Sequence, residues 1–301
     1  SHPFQWLNAK GEAFWVKYHF KTRQGWDCFT DEEAQEMAGK NADYQREDLF
    51  NAIERGDYPI WDVKVQIMPF AEAETYRYNP FDLTKTWSHK DYPLIDVGYF
   101  VLNRNPVNYF AQIEQLAFDP ANLVPGVGLS PDRMLMARAF AYADAHRYRI
   151  GPNYRQLPVN QPVHPVNTYA HQGPMAYQFN PASAPVYTPN RFDKGAGYLD
   201  DGVSSNSGYG AADELFINPD PHGTDLGRAP YVAHPEDDDF GQAGILYREV
   251  MDDGAKDRLA HNITNAMVGV SPETEQRCYW YWDQVDPQLG AEVRKRFAAK
   301  K

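Results

Sequence analysis

Between residues 152 and 233 the chain loses hydrophobic periodicity. Stretches such as NYRQLPVNQPVHPVNTY (153–169) and YGAADELFINPDPHGTD (209–225) are built from Pro, Gly, Asn and Tyr, with neither a 3.6-residue nor a two-residue repeat. A single compact domain rarely contains more than about 15 residues without secondary structure, so this length of chain cannot belong to one packed core. Its aromatic content favours an extended arm that wraps other subunits or surfaces over a disordered linker. The chain is therefore expected to consist of structured parts on either side of a long threading segment.

The part before the arm mixes strands and helices. AFWVKYHFK (13–21), DVKVQIMPF (62–70) and DVGYFVLNR (96–104) alternate apolar and polar residues and are rich in aromatic and β-branched side chains, the pattern of half-buried strands; His2-Pro3-Phe4 leads directly into another strand-like stretch. Between the first two, Thr30 followed by Glu33 forms a capping box, and Gly56 marks a helix stop. From residue 105 the texture turns helical. NPVNYFAQIEQLAF (105–118) shows helical spacing in its second half, and SPDRMLMARAFAYADAHRYRIG (130–151) reads as a helix with Ser130 as N-cap, Pro131 at the first helical position and Gly151-Pro152 as terminator. After the arm, ILYREVM and RLAHNITNAM carry i, i+3, i+4 apolar spacing, Pro272-Glu273 opens a further helix, and Asp286-Pro287 another. The expected organisation is an α+β strand-rich part at 1–104, a threading segment at 105–233 that begins with the long helix, and a helical domain at 234–301.

Charge restricts the partners. Against 29 Lys and Arg stand 41 Asp and Glu, a net charge of −12, which would repel a nucleic acid or an anionic membrane. A small-molecule partner is expected instead, with no nucleic acid and no membrane. The two cysteines, Cys28 and Cys278, form no CxxC, and no apolar run approaches the ~20 residues that span a bilayer. With no charged and apolar signal segment at the start, the expected location is cytoplasmic, in a reducing compartment. The first residue is Ser1 rather than Met. We expect the chain to be the carboxy-terminal portion of a longer polypeptide, associated with its amino-terminal part.

The stretch RAFAYADAHRYR (138–149) carries the chemistry. Arg138, Tyr142, His146 and Arg149 fall at i, i+4, i+8 and i+11, one stripe of a helix. A helical tyrosine is most often an ordinary core or interface residue, and Arg147 and Arg149 would each suit a solvated helix C-terminus. Arg138 changes the reading of Tyr142. A guanidinium donating to a phenol oxygen stabilises negative charge there, and an ionised tyrosine is a hard, strongly donating metal ligand.

These residues resemble the proximal haem-ligand signature of the monofunctional haem catalases, Arg-x-Phe-x-Tyr followed by an Asp and a terminal Arg-x-Arg. Catalase is the standing example of haem iron held by tyrosinate. The similarity extends in order through DYQREDLFNAI (43–53), NPFDLTKTW (79–87), KDYPLIDVGYFVLNRNPVNYFAQIEQLAFDP (90–120) and SPDRML (130–135). It is close from residue 1 to about 190 and looser in the helical tail.

The resemblance implies the catalase fold: the second half of an antiparallel β-barrel, a wrapping segment and a carboxy-terminal helical domain. It implies that Tyr142 is the axial ligand of the iron of a type b haem and that Arg138 keeps it ionised, backed by His2 and Asp132. Phe118, Met134, Ala141, His146 and Leu83 correspond to haem-pocket positions, and Arg149 to a propionate partner. His19, Lys21, Trp87 and His89 resemble the positions at which NADPH-binding members hold the dinucleotide, with the lysine on the ribose phosphate. The implied activity is dismutation of hydrogen peroxide by a homotetramer. The distal histidine, asparagine and serine of the family fall upstream of Ser1 in this correspondence. Two other readings share the proximal side: a catalase-fold haem enzyme acting on fatty-acid hydroperoxides, and a non-catalytic haem-binding or assembly subunit.

Overall fold

The computed structural model describes residues 1–124, 126–163, 173–177 and 238–300. Most of the arm expected over 152–233 lies outside the described residues. The remainder divides into two units, one drawn from Ser1–Arg23 and Ala52–Ala229, the other from Gln24–Asn51 and Pro230–Lys301.

The first unit is built on a curled antiparallel half-barrel sheet of β1 (Pro3–Leu7), β2 (Ala13–Thr22), β3 (Ile60–Pro69), β4 (Ile95–Val101) and the two-residue β5 (Val127–Gly128), ordered β4-β3-β2-β1-β5. All three long alternating stretches fold as strands, as expected from their period. Phe4 opposite Val16, and Val16 opposite Ile67, place Phe4, Val16, Tyr18, Val65 and Ile67 on one face; Gln5, Trp15, Lys17, Gln66 and Met68 line the other. On that second face Trp15 stacks on Phe70 at 4.8 Å and meets the edge of Phe81 at 4.7 Å, and with Met68, Trp87 and Tyr92 it forms a buried cluster. The polar members of the face are satisfied within it. Gln66 donates to the Trp87 and Tyr92 carbonyls, and the Lys17 ammonium donates to the Lys85 carbonyl at 3.0 Å while lying over the Trp87 ring. Between β3 and β4 the register shifts at Val63/Lys64, leaving Val97 as the extra residue of a bulge, beside Gly98 at φ +151°.

The short β5 matters most for the site. It pairs Gln5 with Gly128 and Trp6 with Val127, and Ser130 Oγ then donates to the Pro3 carbonyl at 2.6 Å. A Cβ on Gly128 would stand 3.0 Å from Gln5 Oε1, so the close approach suits glycine. This pairing brings the start of α3 (Arg133–Arg149) beside the start of β1.

Two local expectations are corrected. The N-cap of α3 is Asp132, not Ser130, and Pro131 precedes the helix: the Asp132 carboxylate accepts from the Met134 and Leu135 amides at 2.9 and 3.1 Å, whereas the Ser130 hydroxyl is committed to Pro3. Residues 105–118 form only one π-helical turn, Phe110–Glu114. Gln112 and Asn108 side chains hold its start, and the carbonyl of its last residue, Glu114, accepts from Arg149 rather than from a further helical turn.

In the second unit Thr30 and Glu33 make both bonds of the capping box at the start of α1 (Asp31–Lys40). α2 (Tyr44–Arg55), whose residues from Ala52 on belong to the first unit, ends at Gly56, at φ +85°. Sequence reasoning placed residues 24–51 with the strands, yet they cluster with the carboxy-terminal helices. Glu32 accepts from His261 and Asn265 of a later helix, contacts without a local sequence signal. A short helix α4 (Gly241–Ile245) runs into a π turn, followed by α5 (Asp253–Ala266), α6 (Pro272–Val285) and α7 (Pro287–Ala298). Tyr247, Met267, Val285, Leu289, Val293 and Phe297 form their core. Asp286 caps α7 with Pro287 at its first position, as expected. No helix among the described residues is long and apolar enough to cross a membrane.

Candidate functional site

The polar stripe of α3 is a set of neighbours in contact. Arg138 Nη2 donates to Tyr142 Oη at 3.0 Å and its guanidinium carbon lies 5.2 Å from the ring centroid. The Tyr142 and His146 rings meet edge-on at 6.0 Å, and Arg149 Nη2 donates to His146 Nδ1 at 3.2 Å. The i, i+4 spacing accounts for the first two contacts.

What the helix does not supply comes from β1. His2 Nδ1 lies 2.7 Å from Asp132 Oδ2, and His2 Nε2 lies 2.8 Å from Arg138 Nη1. The proton positions follow from the partners. A carboxylate only accepts and a guanidinium only donates, so the imidazole is neutral, with its proton on Nδ1 and its lone pair on Nε2 facing Arg138. Asp132 is 1% exposed, and its two oxygens serve different partners, since Oδ1 caps α3 while Oδ2 orients His2. The relay Asp132–His2–Arg138–Tyr142 thus ends with a cationic donor on a half-buried phenol oxygen.

A second His–Arg pair stands on the other side of Tyr142. His146 is buried, and its Nε2 donates to the Phe118 carbonyl at 2.7 Å; Arg149 donates to the Glu114 and Leu116 carbonyls at 2.6 and 2.7 Å. Phe118 itself is 73% exposed, and Met134 and Ala141 are exposed along α3. Leu83 is exposed in the loop between β3 and β4.

The four residues matched to a dinucleotide site differ in burial, His19 and Lys21 lying on β2 and Trp87 and His89 in the loop between β3 and β4. His19 and His89 rings stand 6.1 Å apart, edge to face, and His19 also bonds Gln66. Lys21 is exposed two residues along the same strand, while Trp87 is 2% exposed, its indole donating to the Pro80 carbonyl. Burial holds the His19 imidazole below its ordinary range. Burial also pulls the Lys17 ammonium down to about 8, with the Asp132 and Asp82 carboxylates opposing the shift. Among residues that sequence reasoning missed, Asn160 and Arg155 hold the segment carrying Phe118: Asn160 bonds Ala117 and Gln115, and Arg155 pairs with the buried Asp119. Both lie in the stretch without periodicity, where no local pattern marks them.

The family model for catalase matches residues 1–194, and that for a catalase-related immune-responsive domain matches residues 233–297. A catalase of an Onchocerca volvulus endobacterium is 49% identical over 96% of this chain, and catalase A of Pseudomonas putida is 49% identical over 98%. The chain spans 57% and 58% of the length of those two relatives. A solved bacterial catalase structure superposes with a TM-score of 0.84 at 69% identity, covering all of this chain and 59% of that one; a fungal catalase structure gives 0.82 at 38% identity. The fold, the order of its motifs and these similarities agree: the chain belongs to the catalase family.

Proposed function

We propose that this chain carries the haem-holding part of a catalase, in which Tyr142 would be the residue that holds the iron. The observation that carries the reading is the relay ending on Tyr142 Oη. A tie between β1 and α3 alone would need only the His2–Asp132 bond. The two further links both have Arg138 as donor, Nη1 to His2 Nε2 and Nη2 to Tyr142 Oη, so the tie to His2 fixes the guanidinium with its positive charge against the phenol oxygen. It leaves the remaining lone pairs of Oη for a metal.

The residue set fits haem. A hard anionic oxygen suits a ferric iron, and the exposed apolar Met134 and Phe118 near the ligand offer contacts to a macrocycle. Bound haem would supply the redox iron at which two molecules of hydrogen peroxide become two of water and one of dioxygen. Tyr142 would hold the iron. Arg138 would donate to that oxygen, and His2 and Asp132 would fix the Arg138 fork. Arg149 would offer its guanidinium edge to a propionate while bonded to backbone carbonyls. Hydrogen peroxide as substrate is supported by the relatives, which are named catalases.

The finer features rest on the same resemblance. Type b haem and a tetrameric assembly follow the family, with the remainder of the barrel as the partner of this half. An NADPH site is supported by the His19–His89 pair and by the exposed Lys21 beside it, with buried Trp87 fixing the loop rather than touching the ligand. Free thiols at Cys28 and Cys278 support a cytoplasmic location. The test of the central reading is Tyr142→Phe in the full-length protein. The expected result is loss of bound haem and its Soret absorption, with native circular dichroism retained. Full haem content and activity in that variant would end the proposal.

A further inference from the structure

The segment that carries Phe118 is held by side chains instead of a neighbouring strand. After the π turn Phe110–Glu114 the chain runs through Gln115, Leu116 and Ala117, and among the described residues no strand pairs with it. Backbone groups left without such partners must be satisfied in another way. Here one side is served by α3: Arg149 donates to the carbonyls of Glu114 and Leu116, and His146 to that of Phe118, three alternate residues. The other side is served by Asn160, which accepts from the Ala117 amide at 2.8 Å and donates to the carbonyls of Gln115 and Tyr154 at 2.9 and 3.0 Å. Arg155 closes the end on Asp119, whose side chain is 2% exposed.

His146 is central to this arrangement. Its Nε2 faces a carbonyl, which only accepts, and its Nδ1 faces a guanidinium, which only donates; the imidazole is therefore the neutral Nε2–H tautomer. Both ring nitrogens are occupied by protein groups, so its polar atoms are not aimed at a ligand. Its ring packs between those of Tyr142 and Tyr154, with centroids 6.0 and 5.4 Å away. The position of the Phe118 backbone is thus referred to the same helix turn that carries Tyr142, while the Phe118 ring points outward.

From this we infer that His146 and Asn160 are positioning residues: with Arg149 they clasp residues 114–118 between them and fix the backbone that presents the exposed Phe118 ring relative to Tyr142. The role toward haem rests on the reading of Tyr142 given above; the clasp itself does not. It distinguishes His146 from a residue that contacts the cofactor directly. It also makes the wall of the site separable from the helix, because among the described residues the wall is held by five side-chain bonds and no ladder.

The test compares His146→Leu, His146→Gln and Asn160→Leu in the full-length holoprotein. Glutamine can donate from Nε2 and accept at Oε1, which reproduces both bonds of the imidazole; leucine reproduces neither. Amide exchange of residues 110–120 should speed up about tenfold or more in the two leucine variants, while the amides of β3 keep wild-type protection. Haem transfer to an apoglobin scavenger should speed up by about tenfold in the same two variants. His146→Gln should return both toward wild type. Unchanged exchange over 110–120 in the leucine variants would overturn the clasp. Exchange that speeds up with haem release unchanged would overturn its role at the ligand face. If His146→Leu fails to fold, Asn160→Leu, outside α3, decides the same two points. Absence of haem from the wild-type protein would instead defeat the reading of Tyr142, and exchange would still decide the clasp.

Discussion

Asp132→Asn separates the two roles of one buried carboxylate. Two oxygens serve three donors: Oδ1 accepts from the Met134 and Leu135 amides, and Oδ2 from His2 Nδ1. An asparagine has one oxygen and must choose. If that oxygen turns to His2, the new amide N–H₂ faces two buried backbone N–H groups, leaving both unsatisfied at about 1–3 kcal/mol each. If it stays on the cap, which asparagine fills as well as aspartate, the N–H₂ faces His2 Nδ1. The imidazole can answer by moving its proton to Nε2, keeping that bond. Nε2–H then opposes the Arg138 guanidinium, and one link of about 1–3 kcal/mol is lost. The second arrangement sacrifices one interaction against two, so it should prevail. The expected variant keeps α3 intact, carries His2 as the Nε2–H tautomer and no longer delivers Arg138 to Tyr142. Histidine nitrogen shifts in selectively labelled protein report the tautomer, and the Soret band reports the ligand. A His2 that keeps its proton on Nδ1, with an unaltered Soret band, would refute this reasoning.

Two further outcomes are expected. Because burial holds Lys17 at about 8 rather than 10.5, the unfolded chain takes up this proton first as the pH falls. The native state is therefore penalised by about 3 kcal/mol below pH 8, and the penalty fades as the pH rises toward 10.5. Urea unfolding of Lys17→Met and wild type, compared at each pH, should show their difference change across that window; a flat difference would show a well-hydrated amine. In the proposed NADPH site Lys21→Ala should weaken binding of NADPH more than that of NADH, since a phosphate partner is lost, by about tenfold in a fluorescence titration. Equal loss for both nucleotides would remove Lys21 from the phosphate.

Much of the local structure was legible because it is set by neighbours in sequence. Trp15, Lys17 and His19 share a face because strands repeat every two residues. Thr30 and Glu33 cap α1 because three residues separate an N-cap from N3. Ser130 misled for a related reason: it satisfies the N-cap rule in isolation, but its hydroxyl was claimed by Pro3, 127 residues away. The turn at 110–114 fell short of a helix for the same kind of reason, with Arg149 taking the Glu114 carbonyl from 35 residues further on. The capping box of α1 was readable, whereas its placement among the carboxy-terminal helices depended on distant partners such as His261.

The sequence by itself determined the Arg138–Tyr142 contact, since a helix of 3.6 residues per turn leaves i and i+4 side chains in reach whatever surrounds them. It determined the alternation that gives the sheet its two faces, and the family to which the motifs point. Only the tertiary structure decided that His2 reaches Arg138 across 136 positions, through the short β1–β5 pairing that docks the start of α3 on the edge of the sheet. Only it decided that Asn160, in a stretch without pattern, holds the segment carrying Phe118. Local geometry is a property of the chain's period; these contacts depend on loop closure, and hydrogen-bond donors and acceptors far apart in sequence become partners only when the surrounding packing has removed the water that would otherwise satisfy them.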